Sequence, residues 1–549
     1  MTLSHADIAV FGGYMLLLLG VGVYFTRQQK SIKAYLLAEQ NVHWVVVGIS
    51  VLAALFSGIT YLGAPCETFF YGTGYLVVTA TLFIATPITI KVFVPFFRKL
   101  RVYTAYEYLA RRFDRRLEII ASAFFVVRVV FYAGLAIYAP ALAIAAVTGI
   151  PFWASALITG TMATIYTALG GMKAVIWTDT IQFAVLCGGI VLIFLLCIDK
   201  VPGGLPAAWD LARADGKTRF FDFELSPYVR MGFWAALLGG LANNLVQMAT
   251  DQISVQRYLT ASSIKECSKA LWLKLALLTP IVVLIFFSGT MIYGYYKSMP
   301  SQVPAFENVE KVRGLYSTNP RLYNDLISRQ QRKIPPDMSA SPGTPTRPLK
   351  GDQILPYFVV NNLPTPLPGL LIAAILGATM AVVSAAINSL ATAALVGFRR
   401  QSDSQPTVVA AKLLTVAFGA VATLLALFVL AKFGSIVTAT VVILAVMGCP
   451  LLGLFLLAAF SRRANSQGAI WGTAFGLAGA LFVSHLNRTI GVSPMWIGVA
   501  ATLATFVVGW FVSLFFPDPG ERVRTLTFYG ARDLPLPEEE REPSPAPVP

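Results

Sequence analysis

Apolar runs of about twenty residues, the length that a bilayer core requires, recur along this chain from Ile8–Phe25 to Gly498–Phe516, and about thirteen of them can be counted. Lipid offers no partner to a backbone N–H or C=O, so segments of this kind must close their hydrogen bonds within helices. The composition agrees: 56% of the 549 residues are hydrophobic and only 13% charged, with a mean hydropathy of +0.68. These values exclude a water-soluble chain and predict an all-α polytopic protein of the plasma (inner) membrane.

A formal charge of +15 would suggest nucleic acid as a partner for a soluble protein. Here the positive charges sit instead in short loops after alternate spans: Arg27, Lys30 and Lys33 after the first, Arg98 to Arg116 after the third, and Lys173 after the fifth. Arg257 to Lys269, Arg399–Arg400, Arg462–Arg463 and Arg522–Arg524 continue the series. By the positive-inside rule these loops are cytoplasmic, which places the N-terminus outside and the C-terminus in the cytoplasm. The lipid bilayer and a small molecule or ion are the expected partners, nucleic acid is not, and homo-oligomerisation is left open. The first span lacks a cleavage signature and reads as a retained helix.

Asp179 stands alone in an otherwise apolar helix. A carboxylate at mid-membrane costs about 2.5–3.5 kcal/mol on insertion scales, so such a residue usually faces a cavity, a cation or a proton path. That favours a transporter. No HExxH, GxSxG, P-loop or histidine pair is present, so an enzyme is not expected, and the five cysteines have no metal-ligand spacing. A membrane-embedded solute sensor is a rival reading; the C-terminal tail has no kinase-like motif, so a separate partner would have to transmit its signal.

Two spans should break. One contains Phe56-Ser57-Gly58-Ile59-Thr60 with Pro65 further on, and the other contains Gly239-Gly240-Leu241-Ala242-Asn243-Asn244 and runs on to Gln247 and Asp251. Broken helices free backbone groups, which the membrane tolerates only where they face protein or a water-filled cavity. The two interrupted spans open successive five-span groups, as in inverted-repeat transporters with a site at the midplane. The expected divisions are 1–41, a flanking helix and cytoplasmic loop; 42–228, the first repeat with an outer loop; and 229–459, the second repeat with its long outer loop 297–362. Residues 460–516 would be two flanking helices, and 517–549 a disordered cytoplasmic tail. A short amphipathic helix is expected around Glu307–Leu326. The breaks should expose Phe56, Ser57 and Thr60 on one side and Asn243, Asn244 and Gln247 on the other, as substrate-binding candidates. Arg128 reads as a side chain that snorkels to the interface.

Several motifs carry a resemblance to the sodium/solute symporter family. Ser57 through Gly72, with Leu62-Gly63-Ala64-Pro65, resembles its first core helix. Ala105-Tyr106-Glu107-Tyr108-Leu109 with Arg112-Phe113 resembles a basic cytoplasmic loop. Tyr166 to Asp179, reading Tyr-Thr-Ala-Leu-Gly-Gly-Met-Lys-Ala-Val-Ile-Trp-Thr-Asp, is similar to the family's most recognisable stretch. Thr250-Asp251-Gln252 with Val255-Gln256-Arg257, Asp352-Gln353 before Pro356, and Ile387-Asn388-Ser389-Leu390-Ala391-Thr392 complete the set. The match covers most of the chain and implies a LeuT-type five-plus-five inverted repeat with flanking helices.

Tyr138-Ala139-Pro140 and Ala145 to Gly149 are most similar to the branch that carries iodide, monocarboxylates and vitamins such as biotin and pantothenate, so the resemblance implies an anionic or carboxylate-bearing solute. Sugar-carrying relatives have a glutamine where Thr60 stands and a lysine where Leu278 stands, which disfavours a sugar here.

Sodium is the implied coupling ion, and no organic cofactor is implied. The resemblance assigns sodium ligands to the carbonyls of Ala53, Phe56 and Ala378, and in a two-sodium design to Asp179 and Ser384. Two hydroxyl residues of the family are replaced by Ala381 and Val382. A hard cation binds oxygen, so this loss should weaken the site and leaves a proton-coupled or uncoupled carrier as the alternative.

Overall fold

The computed structural model describes residues 5–26, 31–299 except 101, 103 and 149, then 302, 304, 353–362, 367–398, 407–428 and 436–531. The segment Glu307–Leu326, expected to hold an amphipathic helix, lies outside the described residues. Among the described residues the only β pairing is an isolated bridge between Val42 and Ala261, and everything else of regular structure is helix.

Nine described helices are long and apolar enough to cross a membrane: Thr73–Leu100, Arg115–Leu142, Phe152–Lys200, Ile264–Ser298, Ile372–Gly397, Val408–Phe428, Thr440–Phe460, Ser466–Ile490 and Met495–Ser513. The pair Trp44–Leu55 and Gly58–Tyr71, bent by 60°, makes a tenth if taken as one span. Phe152–Lys200, at 49 residues, would be roughly 74 Å long if straight, far beyond a ~30 Å hydrocarbon core. It breaks at Gly171, whose φ of 58° and ψ of −156° suit a residue without a Cβ. The basic loop expected at Lys173 is thus a break two residues earlier.

Both interruptions expected from the sequence are present, and each is terminated by a capping side chain. The helix Trp44–Leu55 ends at Phe56 (φ −92°, ψ 88°), and Ser57, extended, caps the next helix by accepting from the Thr60 N–H at 3.4 Å. Phe233–Leu245 runs into one π turn, Val246–Thr250; Asp251 is then extended and caps Gln252–Tyr258 through the Ile253 N–H at 3.0 Å. Gly58 permits the close approach of the first break to the helix Leu367–Gly397: a Cβ there would lie 2.4 Å from Thr379 Oγ1.

Burial sorts the helices into core and periphery. The Ile372–Gly397 span is buried all round, whereas Val408–Phe428 and Ser466–Ile490 turn most of their surface outward, with Leu413 and Phe482 more than 60% exposed. A helix apolar on every side with an exposed face belongs against lipid. Ser466–Ile490 and Met495–Ser513 pack through small residues, Gly468, Gly472 and Gly476 against Ser513, Gly509 and Thr505.

Of the tail expected to be disordered, residues 532–549 lie outside the described residues. Residues 521–531 form two short helices, Glu521–Arg524 and Phe528–Ala531. Tyr108 donates to the Leu526 carbonyl at 3.1 Å, and Phe528 packs on Phe460. Those aromatic contacts supply the apolar burial that the proline-rich composition beyond them lacks. No disulfide joins any two of the five cysteines, all of which lie among the described residues.

Near the far end of Gly58–Tyr71, Lys217 donates to the carbonyls of Phe69 and Phe70 at 2.8 Å each, the groups that a helix C-terminus leaves open. Arg230 pairs with Glu67 there and lies over the Tyr71 ring.

Candidate functional site

The two breaks face one another across a cavity of about 140 Å³. The first contributes Ser57 and Thr60, and the second contributes Asn243, Asn244, Gln247 and Asp251. The helix Arg115–Thr148 supplies Arg128 and Tyr132, and Ile436–Phe460 closes one wall with Thr440, Val441, Ile443 and Leu444. Five of the six residues expected to bind substrate therefore share this space. Phe56 does not line it: its side chain is 2% exposed and packs in the hydrophobic core.

The polar groups are held from behind. Asn244 Nδ2 donates to the Val78 carbonyl at 3.0 Å and to Thr81 Oγ1 at 2.8 Å. Asn243 Oδ1 accepts from Cys449 Sγ at 3.5 Å, and Tyr132 is hydrogen-bonded to Ser57. Gln247 makes no side-chain hydrogen bond among the described residues, so its amide remains open to a ligand.

Arg128 overturns its expectation. It stands thirteen residues into its helix, roughly 20 Å from the end at 1.5 Å per residue, beyond the reach of a snorkelling side chain. It is buried instead, with Nη2 2.7 Å from Asp251 Oδ2. Asp251, at the second break, is the counter-charge that makes this burial tolerable. Its presence on an apolar span was the available signal for the pair.

Asp179 lies elsewhere. Its Oδ2 accepts from Ser50 Oγ at 2.6 Å and from Arg257 Nη2 at 3.2 Å, while Arg257 Nε donates to Ser50 Oγ at 3.1 Å. Neither side chain of the ion pair is exposed. Oδ1 of Asp179 has no hydrogen-bond partner.

The residues expected to hold sodium are all buried: Ala53, Phe56, Ala378, Asp179 and Ser384, together with the substituted Ala381 and Val382. Ser384 Oγ donates to the Ala381 carbonyl at 2.9 Å, which leaves its oxygen lone pairs for a ligand. No group of three or more His, Cys, Asp or Glu side chains suited to a metal occurs among the described residues. The set fits a sodium ion in part, through carbonyls and one hydroxyl, and Ala381 and Val382 add no side-chain oxygen.

Comparison with known proteins gives the class. The sequence model of the sodium:solute symporter family matches residues 35–321 and 344–476. The rabbit (Oryctolagus cuniculus) sodium-dependent multivitamin transporter is 30% identical, over 88% of this chain and 70% of that protein. Human sodium-coupled monocarboxylate transporter 1 is 29% identical, over 87% of this chain and 73% of that protein.

Among solved structures, a Na+-coupled sialic acid symporter in a substrate-bound outward-open state aligns with a TM-score of 0.79 at 27% identity, covering 94% of this chain and 99% of the other. Mhp1, a nucleobase-cation symporter at 16% identity and a TM-score of 0.53, shares the fold alone. The architecture is thus that of the LeuT-type sodium symporters, as the motifs around Ser57, Asp179 and Asn388 implied, and the relatives are transporters rather than enzymes. The chain is a multi-pass membrane protein that belongs to the sodium:solute symporter family.

Proposed function

We propose that the chain carries a small carboxylate-bearing anion by alternating access, binding it in the cavity between the two breaks. The observation that carries the reading is Arg128, a buried cation in the cavity wall beside the open amide of Gln247. An arginine fork matches a carboxylate in shape and charge. Ser57, Thr60, Asn243 and Asn244 orient the remainder of the solute, and Leu55, Ile59 and Leu135 supply apolar contact. The names of the relatives, which include a monocarboxylate carrier and a sialic acid symporter, point the same way.

In this reading residues 42–228 and 229–459 are the two repeats that move, with 1–41 and 460–516 flanking them. The N-terminus is outside and the C-terminus cytoplasmic. Sodium is the coupling ion, held by the carbonyls of Ala53, Phe56 and Ala378 near Ser384, with Oδ1 of Asp179 as a further ligand. The replacement of two hydroxyls by Ala381 and Val382 favours a second reading, in which a proton contributes to coupling.

The test is thermal unfolding of the purified chain in detergent with propanoate, lactate and nicotinate, each beside its amide. A ligand at one hundred times its Kd stabilises by about 2.7 kcal/mol. The reading expects a saturable rise in Tm with at least one carboxylate, absent with its amide and absent in an Arg128→Gln/Asp251→Asn double variant. Equal stabilisation by acid and amide overturns it.

A further inference from the structure

Arg128 and Asp251 are committed to each other. Nη2 and Oδ2 lie 2.7 Å apart, with the side chains 5% and 2% exposed, and both line the cavity. Arg128 Nε has no partner, so the guanidinium retains a donor for a second carboxylate. Asp251 Oδ1 accepts from the Ile253 N–H at 3.0 Å, which holds the residue at the break when Oδ2 turns away. An anion entering the cavity therefore meets an arginine already occupied by a group of its own chemistry.

We propose that Asp251 is an internal stand-in for the substrate's carboxylate: the anion takes the place of Oδ2 on Arg128, and the released Asp251 takes up one proton. This rests on the reading of the cavity as an anion site. With the anion bound and Asp251 ionised, two carboxylates would share one guanidinium in a desolvated space, and a buried unpaired charge is strongly unfavourable. One proton, passed to Oδ2 from hydronium or buffer acid in the bathing water, whose bond to that proton breaks as the new O–H bond forms, restores neutrality without a coordination shell.

The other titratable groups that face the pair are Tyr132 on the Arg115–Thr148 helix, Tyr106 on Ala105–Arg112, and Cys449 on Ile436–Phe460. All three are neutral when protonated, and the Tyr106 hydroxyl already donates to the Thr250 carbonyl at 3.2 Å. Asp251 is the one carboxylate among them. The cavity is then electrically balanced both when empty, with Arg128 on Asp251, and when loaded, with anion and proton, so neither state leaves a net charge buried in it.

The experiment uses the full chain in detergent and weak buffer, with propanoate and nicotinate as probes, in sodium chloride and in choline chloride at equal ionic strength. A pH-indicator dye reports protons taken up on binding, and calorimetry gives Kd at pH 6, 7 and 8. The inference expects about one proton per anion bound in both salts, and an affinity that falls about tenfold per pH unit. Asp251→Asn, which keeps a good capping side chain for Gln252–Tyr258, should bind about tenfold tighter or more at pH 8, with no proton uptake and no pH dependence. Binding without proton uptake, or binding that needs sodium and releases or takes no proton, overturns the inference while leaving the anion site in place. No binding of either probe to the native chain overturns the anion reading itself, and the inference with it.

Discussion

Asp179 and Arg257 form an ion pair at 3.2 Å with neither side chain exposed, and Ser50 Oγ donates to the one and accepts from the other. The triad ties the first broken helix to the helix that follows Gly171 and to the segment after the second break, Gln252–Tyr258. It is a structural clasp across three segments, and under the proposed alternating access it would join parts that move.

Breaking the clasp on one side leaves a buried charge unpaired, which costs about 3–5 kcal/mol. Asp179→Ala and Arg257→Met should each lower the unfolding temperature in detergent steeply. The double variant Asp179→Leu/Arg257→Met should be more stable than either single one. Additive losses would show that the two residues act independently.

The first break depends on Gly58. A Cβ at this position would stand 2.4 Å from Thr379 Oγ1 and 2.9 Å from Pro140 Cγ. Gly58→Ala should therefore destabilise by about 1–3 kcal/mol, as overpacking does. Adding Thr379→Ala should recover part of the loss in Tm, because Pro140 still obstructs. A neutral Gly58→Ala would mean that the break can shift freely.

Lys217 makes stability depend on pH. Burial, with a smaller opposing effect from Asp215, pushes its ammonium from the usual 10.5 down to about 8. Between about 8 and 10.5 the folded chain thus holds fewer protons than the unfolded chain at this site, so its contribution to stability rises with pH across that window and is lost as the pH falls through about 8. Tm measured from pH 7.5 to 10.5 should climb more in the native chain than in Lys217→Met. Parallel curves would show that the lysine titrates alike in both states.

Sodium should stabilise the native chain weakly, since Ala381 and Val382 offer no side-chain oxygen. Thermal unfolding against sodium, with choline at constant ionic strength, should show a larger saturable rise for Ala381→Ser/Val382→Ser than for the native protein. An unchanged response would place the sodium ligands away from these positions.

Much of this was legible in the residues. Glycine, serine and paired amides interrupt apolar runs at Ser57–Gly58 and Asn243–Asn244, and the backbone breaks within a turn or two of both. For the same reason Ser57, Thr60, Asn243, Asn244 and Gln247 reach one cavity. Phe56 was misplaced because a break fixes which residue is near the space, not which way its ring turns. Arg128 and the partner of Asp179 were missed because each ion pair joins helices far apart in the chain, and no local spacing encodes such a contact. Arg128, Asp179 and Asp251 within apolar spans are the trace that the sequence does carry, whereas Arg257 reads there as the start of a basic loop and is instead buried in Gln252–Tyr258.

In the proposed function Arg128 recognises a carboxylate for transport. The direct measurement is uptake into proteoliposomes, under an inward sodium gradient, of whichever of propanoate, lactate or nicotinate stabilises the protein most, beside its amide and beside Arg128→Gln. The acid should accumulate above equilibrium, the amide should not enter, and the variant should lose uptake. Equal uptake of acid and amide, or an Arg128→Gln carrier as active as the native one, would contradict this function.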